Sequence, residues 1–195
     1  MSRLSTYCFS KSNTHIYKIA NTYRISKWQK RKGNNKELTQ CDDDDEAHQK
    51  QHQKQLEHIA HYDALTNLPN RVLFADRLER SMIQEQRRNQ QLAVIYLDLD
   101  KFKEVNDTYG HNVGDELLLI VAKRLQSCVR KSDTVVRFGG DEFVLLLTGL
   151  HAANEAAYVA EKVLEMMQLP FELSAETVQI GCSIGIALYP EDAEN

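Results

Sequence analysis

Arg137-Phe138-Gly139-Gly140-Asp141-Glu142-Phe143, running on into Val144-Leu145-Leu146-Leu147, sets two adjacent carboxylates beside a pair of glycines. The flanking runs Val135-Val136-Arg137-Phe138 and Glu142 to Leu147 predict a β-hairpin closed by Gly139-Gly140. A two-residue loop of the primed type asks for positive φ at both central positions, which glycine supplies. With no Cβ in the turn, a phosphate can approach the backbone closely. Taken alone, Gly-Gly-Asp describes an ordinary hairpin with solvated acids, so its meaning depends on what else the chain carries.

A second acidic pattern lies upstream. Ala93-Val94-Ile95-Tyr96-Leu97 is a continuous apolar run suited to a strand buried on both faces, and it ends in Asp98-Leu99-Asp100. Side chains alternate along a strand, so Asp98 and Asp100 are expected on one face and Leu99 on the other. Carboxylates at the end of a buried strand are costly unless they are solvated or hold a cation, and hard Mg²⁺ is commonly held by such oxygens in nucleotide enzymes.

Asp98 to His111 (DLDKFKEVNDTYGH), then Gly114-Asp115-Glu116, then Arg137 to Phe143, resemble the GGDEF family of diguanylate cyclases. Asp63-Ala64-Leu65-Thr66-Asn67-Leu68-Pro69-Asn70-Arg71 resembles the opening of that domain, and Cys182-Ser183-Ile184-Gly185-Ile186-Ala187 resembles its late core strand. The five blocks stand in the family's order over 63–195. The resemblance implies an α+β fold, a palm-like ferredoxin-type antiparallel sheet with packed helices as in nucleotidyl cyclases. It also implies an enzyme that condenses two GTP into cyclic di-GMP, releasing two pyrophosphates, with the active site shared between two facing chains of a homodimer.

The same resemblance assigns residues. Asp98, Asp141 and Glu142, with the Leu99 carbonyl, would hold two divalent metals, Mg²⁺ or Mn²⁺, in each half-site. Glu142 would also serve as general base, with Asp141 beside it at the reacting centre. Asn106 and Asp115 match the positions that meet the guanine edge, where an amide and a carboxylate together supply the needed donors and acceptors. Lys103, backbone near Phe102, and Gly139-Gly140 match the triphosphate contacts. Arg130 and Asp133 match an inhibitory RxxD site for the product, where an arginine fork and a carboxylate can grip guanine or phosphate. Without the family, Lys103 is an exposed cation, Asn106 a turn former, Asp115 a helix-start acid and the Arg130/Asp133 pair a helix end.

Hydrophobic periodicity predicts helices over 71–90, with Val72, Leu73, Ala75, Leu78, Met82 and Ile83 as the buried stripe, over 113–130, and over 152–168, the last ended by Pro170. Phe171-Glu172-Leu173 and 177–188 predict strands, with Gly181 and Gly185 allowing close packing.

The 195 residues are 42% hydrophobic with a formal net charge of -4, enough for one substantial core and contrary to a nucleic-acid binder. Cys8, Cys41, Cys128 and Cys182 lack metal-type spacing and predict reduced thiols of a bacterial cytoplasmic protein. Residues 1–45 turn from basic to acidic at Asp42-Asp43-Asp44-Asp45-Glu46, a composition expected to stay disordered, and the basic part has a transit-peptide flavour but no apolar signal core. Residues 46–62 predict a linker helix with sparse apolar positions, and 63–195 the GGDEF domain. No stretch is long and apolar enough for membrane insertion. At the far end the family pattern continues into a further helix and strand carrying a phosphate-binding Lys and Arg, so the domain is expected to be incomplete here. Hence there are two expectations: a working cyclase, or a non-catalytic module that binds GTP or cyclic di-GMP.

Overall fold

The computed structural model describes residues 52–53, 55–174 and 176–192. The tail over 1–45 lies outside the described residues, as does the first part of the 46–62 segment. Residues 52–53 and 55–61 are helical, and Gln53 Nε2 donates to Glu57 Oε1 at 3.0 Å.

From His61 onward the chain folds as one unit. Its elements are α1 (Arg71–Arg88), β1 (Gln91–Leu99), α2 (Phe102–Tyr109), α3 (His111–Cys128), β2 (Thr134–Gly139), β3 (Glu142–Leu150), α4 (Asn154–Gln168), β4 (Phe171–Glu172), β5 (Thr177–Val178) and β6 (Cys182–Tyr189). Four strands form an antiparallel sheet in the order β2-β3-β1-β6, while β4 and β5 pair as a small separate hairpin. The expected α+β arrangement, an antiparallel sheet with packed helices, is the one observed.

The apolar run of β1 is central because it pairs on both sides and is covered on both faces. Ala93, Ile95, Leu97 and Leu99 face a core built with Leu117, Leu118, Val121 and Leu125 of α3 and Ala156, Ala160, Val163 and Met167 of α4. Leu92 and Val94 face the opposite side, where Phe74, Leu78 and Met82 of α1 close over Val136, Val144 and Leu146. Among the described residues, no helix is long and apolar enough to cross a membrane.

Several boundaries differ from the sequence expectation. Helix α1 stops at Arg88 because Asn89 adopts φ +52, and its buried stripe turns on Phe74, with Ile83 49% exposed. Phe74 is drawn in by Phe138, whose ring it meets edge-on at 6.0 Å. Helix α3 starts two residues early, directly after Gly110, so Gly114 falls within its first turn. The long terminal strand is broken over 179–181, where Gly181 O accepts Asp100 N at 3.0 Å. A Cβ at Gly181 would meet Asp100 Oδ2 at 2.8 Å, whereas one at Gly185 would meet nothing within 4 Å, so only the first is a close-packing glycine.

The β2–β3 hairpin closes one residue later than predicted. Gly139 still pairs with Glu142, the loop is Gly140-Asp141, and only Gly140 of the two glycines has positive φ (+54). The cause is a bulge: the register steps from Arg137↔Phe143 to Gly139↔Glu142, leaving Phe138 as the extra residue, free to turn its ring onto Phe74 and Tyr96.

Arg137 fixes this turn. Its Nε and Nη2 donate to Gly140 O at 3.1 and 2.9 Å, while Nη1 donates to Asp63 Oδ1 at 3.0 Å. Asp63 Oδ1 also accepts Thr66 N at 2.8 Å and Thr66 Oγ1 at 2.6 Å. Burial pushes the Asp63 carboxyl up, but the Thr66 bonds and Arg137 outweigh it and hold its pKa below the ordinary 3.8. The stabilisation is therefore complete above 3.8 and is lost as pH falls through the lower folded value. Asp63→Asn should cost about 1–3 kcal/mol of folding stability at neutral pH. In chemical denaturation across pH, the gap from the parent should close in acid; a gap unchanged well below 3.8 would contradict a role for the charged carboxylate.

Candidate functional site

Asp98 is the last polar residue of β1, and the ladder places it directly opposite Glu142 on β3 and Ser183 on β6. Opposed residues in an antiparallel sheet point to the same face, so Asp98 and Glu142 share the face that carries Tyr96. Asp141 sits in the hairpin loop, and its carbonyl accepts Leu99 N at 3.3 Å. One end of the β1–β3 pair thereby gathers Asp98, the Leu99 backbone, Asp141 and Glu142.

Crowding of like charge is evident there. Asp98 is raised above the ordinary 3.8 by burial and then by the charges of Asp141, Glu142 and Asp100. Tyr96 stands two residues earlier on the same face, with Glu142 as its neighbour across the strand pair. Burial first, then the neighbouring Glu142 carboxylate and the charges of Asp98 and Asp141, push the phenol pKa well up, so it stays protonated. Its ring lies 6.1 Å from that of Phe138, edge-on. Sequence reasoning gave Tyr96 no role, although its period-two spacing from Asp98 was a usable signal. Asp100 lies one residue past the strand, where Ser183 Oγ donates to its Oδ1 at 2.8 Å and keeps it on the Asp98 side. Among the described residues, no group of three or more His, Cys, Asp or Glu side chains forms a ready metal cage.

Lys101 follows with φ +62 and starts α2 without a side-chain cap. Helix α2 carries Phe102, half-buried, Lys103, exposed, and Asn106, half-buried. Gly110, at φ +88 and ψ 161, turns the chain into α3, and Gly110 N donates to Asn106 O at 2.9 Å. The elbow lays the Asn106 amide against Gly114, immediately before exposed Asp115. The side chains of Asn106, Asp115 and Lys103 make no hydrogen bond within the described residues, leaving their polar ends available.

Arg130 and Asp133 lie at the opposite end of the β2–β3 hairpin. Asp133 Oδ2 accepts Arg130 N at 3.0 Å and Oδ1 accepts Thr148 N at 3.3 Å, so the carboxylate braces the turn before β2. The Arg130 guanidinium reaches Glu155 Oε2 at 3.4 Å. Arg130, Asp133 and Glu155, with Tyr158, Val159 and Lys162, line a cleft of about 440 Å³. Lys162 Nζ donates to Ser127 O and Cys128 O at 3.1 and 3.2 Å, closing the C-terminus of α3. Glu155 as the partner of Arg130, and Lys162 as its neighbour in the cleft, were invisible in sequence, since only the packing of α4 on α3 brings them there. The thiolate form is disfavoured at both cysteines near these sites: Cys182 is pushed up to about 12 by burial and by Asp100, and burial raises Cys128 as well.

The profile of a family described as "Diguanylate cyclase, GGDEF domain" matches residues 60–195. Among curated proteins, the chain is 48% identical over 141 residues to the bifunctional diguanylate cyclase/cyclic di-GMP phosphodiesterase MucR of Pseudomonas aeruginosa, covering 72% of this chain and 20% of MucR. It is 46% identical over 140 residues to the diguanylate cyclase TpbB of the same species, covering 71% of this chain and 32% of TpbB. The chain thus spans a third or less of either relative's length. A solved structure of the TpbB GGDEF domain alone superposes with a TM-score of 0.66 at 45% identity, covering 67% of this chain and 77% of that one. The coiled coil and GGDEF domain of DgcB from Caulobacter crescentus, solved with c-di-GMP, superposes with a TM-score of 0.69 at 27% identity, covering 77% and 80%. With its opening loop, its Asp98 strand end and its Gly-Gly-Asp-Glu-Phe hairpin all inside the matched span, this chain belongs to the GGDEF-domain family of diguanylate cyclases.

Proposed function

We propose that this chain condenses two molecules of GTP into cyclic di-GMP in the bacterial cytoplasm, two copies facing each other and each holding one nucleotide. The observation that carries this proposal is the register of Asp98 opposite Glu142, with Asp141 joined to the Leu99 backbone. It assembles an all-oxygen, anionic end of the sheet, where burial and then the charges of Asp141, Glu142 and Asp100 raise Asp98.

Such a donor set fits a hard divalent cation. Mg²⁺ takes one or two carboxylates from a protein and completes its shell with substrate phosphate and water. Asp98, Asp141 and Glu142 with the Leu99 carbonyl would hold two Mg²⁺ or Mn²⁺ ions per half-site, which would supply Lewis-acid stabilisation of the attacking and leaving oxygens.

The chain's own groups do the rest. Glu142 takes the proton from the 3′-hydroxyl of one GTP as that oxygen bonds to the α-phosphorus of the other. The bond to the bridging oxygen breaks and pyrophosphate leaves; the same exchange in the other direction closes the ring. Tyr96, kept protonated beside Glu142, adds no further negative charge to that end of the sheet. Asn106 and Asp115 receive the guanine edge, where adenine would leave buried polar groups unsatisfied. Lys103 and the backbone at Phe102 meet the triphosphate, and Gly139 and Gly140 leave room for it. Cyclic di-GMP returns to the cleft at Arg130 and Asp133 and restrains turnover.

A binding module without chemistry is the second reading, favoured by that separate cleft, 440 Å³ in volume and lined by Arg130 and Asp133. Incubating the chain with GTP and Mg²⁺, with chromatography and mass analysis of the product, separates the two. Cyclic di-GMP should form, and Glu142→Ala should lower its rate by about 10²–10³-fold; equal rates would remove Glu142 from the chemistry. GTP or cyclic di-GMP binding without product would leave the module. Arg130→Ala should weaken cyclic di-GMP binding by about tenfold or more and relieve product inhibition. Undiminished inhibition in initial-rate assays would place the feedback site elsewhere.

A further inference from the structure

Gly114 stands inside α3, where its φ is not in the left-handed region and an alanine would favour the helix. Backbone conformation therefore gives no cause for a glycine. Side-chain space does: an ideal Cβ at 114 would overlap Asn106 Oδ1, lie 3.0 Å from Asn106 Cγ and 3.4 Å from Phe102 Cζ. Helix α2 is pressed onto α3 through this contact, and Gly114 itself is buried.

We infer that Gly114 is a specificity-determining position whose missing Cβ lets the Asn106 amide lie flat on α3 beside Asp115, setting the two polar ends as one receptor for the guanine edge. The inference rests on the proposed roles of Asn106 and Asp115. The atom that a methyl group would strike is the end of a short side chain and not backbone, so the relief open to the molecule is rotation of Asn106 away from its place. The fold survives and the base contact is lost. Gly114 touches no substrate in this account; it is a positioning residue acting through Asn106.

A double-mutant cycle tests it. The parent, Gly114→Ala, Asn106→Ala and the double variant are titrated calorimetrically with Mg²⁺ and the α,β-methylene analogues of GTP and ATP, which bind without transfer because the bridging oxygen is replaced. Gly114→Ala should weaken the guanine analogue by about 10–100-fold and erode its preference over the adenine analogue, as Asn106→Ala does. In the Asn106→Ala background the same glycine change should cost nothing further. An equal loss in both backgrounds would show that Gly114 serves helix packing, overturning the inference, and so would a neutral Gly114→Ala. A neutral Asn106→Ala would instead remove the base-recognition role on which it rests. If Gly114→Ala fails to fold, recovery in the double variant supports the inference, since Asn106 is then the group in conflict, and failure of both overturns it.

Discussion

Strand β1 must satisfy its backbone on two sides and bury side chains on two faces at once, and this double constraint governs the rest of the domain. Pairing with β3 and β6 removes both of its edges from water, and Ala93, Ile95 and Leu97 are fully buried at 0% exposure. A charged residue inside that run would cost several kcal/mol or more without a partner. Charge is therefore admitted only where the strand runs out, at Asp98. Because β3 is antiparallel, its first residue, Glu142, arrives at that same point. The acidic end of the sheet is a consequence of the register, and the register is set by the apolar pattern.

Crowded carboxylates oppose folding. Asp98 is raised by burial and then by its charged neighbours, whereas Asp63, tied to Thr66 and Arg137, is lowered despite its own burial. The second carboxylate contributes to folding at neutral pH and the first costs something. The hairpin turn that brings Asp141 into the crowd is held by Arg137 through Gly140 O and Asp63. A cation is thus spent on the turn's backbone and on the opening loop and not on Asp141 or Glu142, which keeps those two carboxylates available for ligands. Surface ion pairs contribute little in general, but Arg137 and Asp63 are only 12% and 24% exposed, so this one is partly shielded from solvent.

Much of this was legible in sequence because the decisive signals are local. The apolar run before Asp98, the paired glycines before Asp141 and the helical stripe over Leu117, Leu118, Val121 and Leu125 each state their element directly, and the five blocks together state the family. What could not be read depends on tertiary contacts. The turn is displaced to Gly140-Asp141 because Phe138 bulges to reach Phe74 and Tyr96. The last strand breaks because Asp100 occupies Gly181 and Ser183. Arg130 faces Glu155 because α4 packs beside α3. In each case a side chain distant in sequence overrides a local preference that was otherwise sound.

The two halves of the candidate nucleotide site are anchored in different places. The hairpin that carries Asp141 and Glu142 is tied through Arg137 to Asp63 and Pro69, on the side of the opening loop. The elbow that carries Asn106 and Asp115 begins at Lys101, whose left-handed backbone follows Asp100, and Asp100 is fixed to Gly181 and Ser183 at the β6 edge. The two anchors share β1 and the core beneath it but no side chain. A change at Gly114 or Asn106 therefore leaves the geometry around Glu142 supported, and a change at Arg137 leaves the elbow supported. On the proposed roles of these residues, recognition of the base and stabilisation of the reacting phosphate are separable contributions, the first felt in ground state and transition state alike, the second only as charge develops.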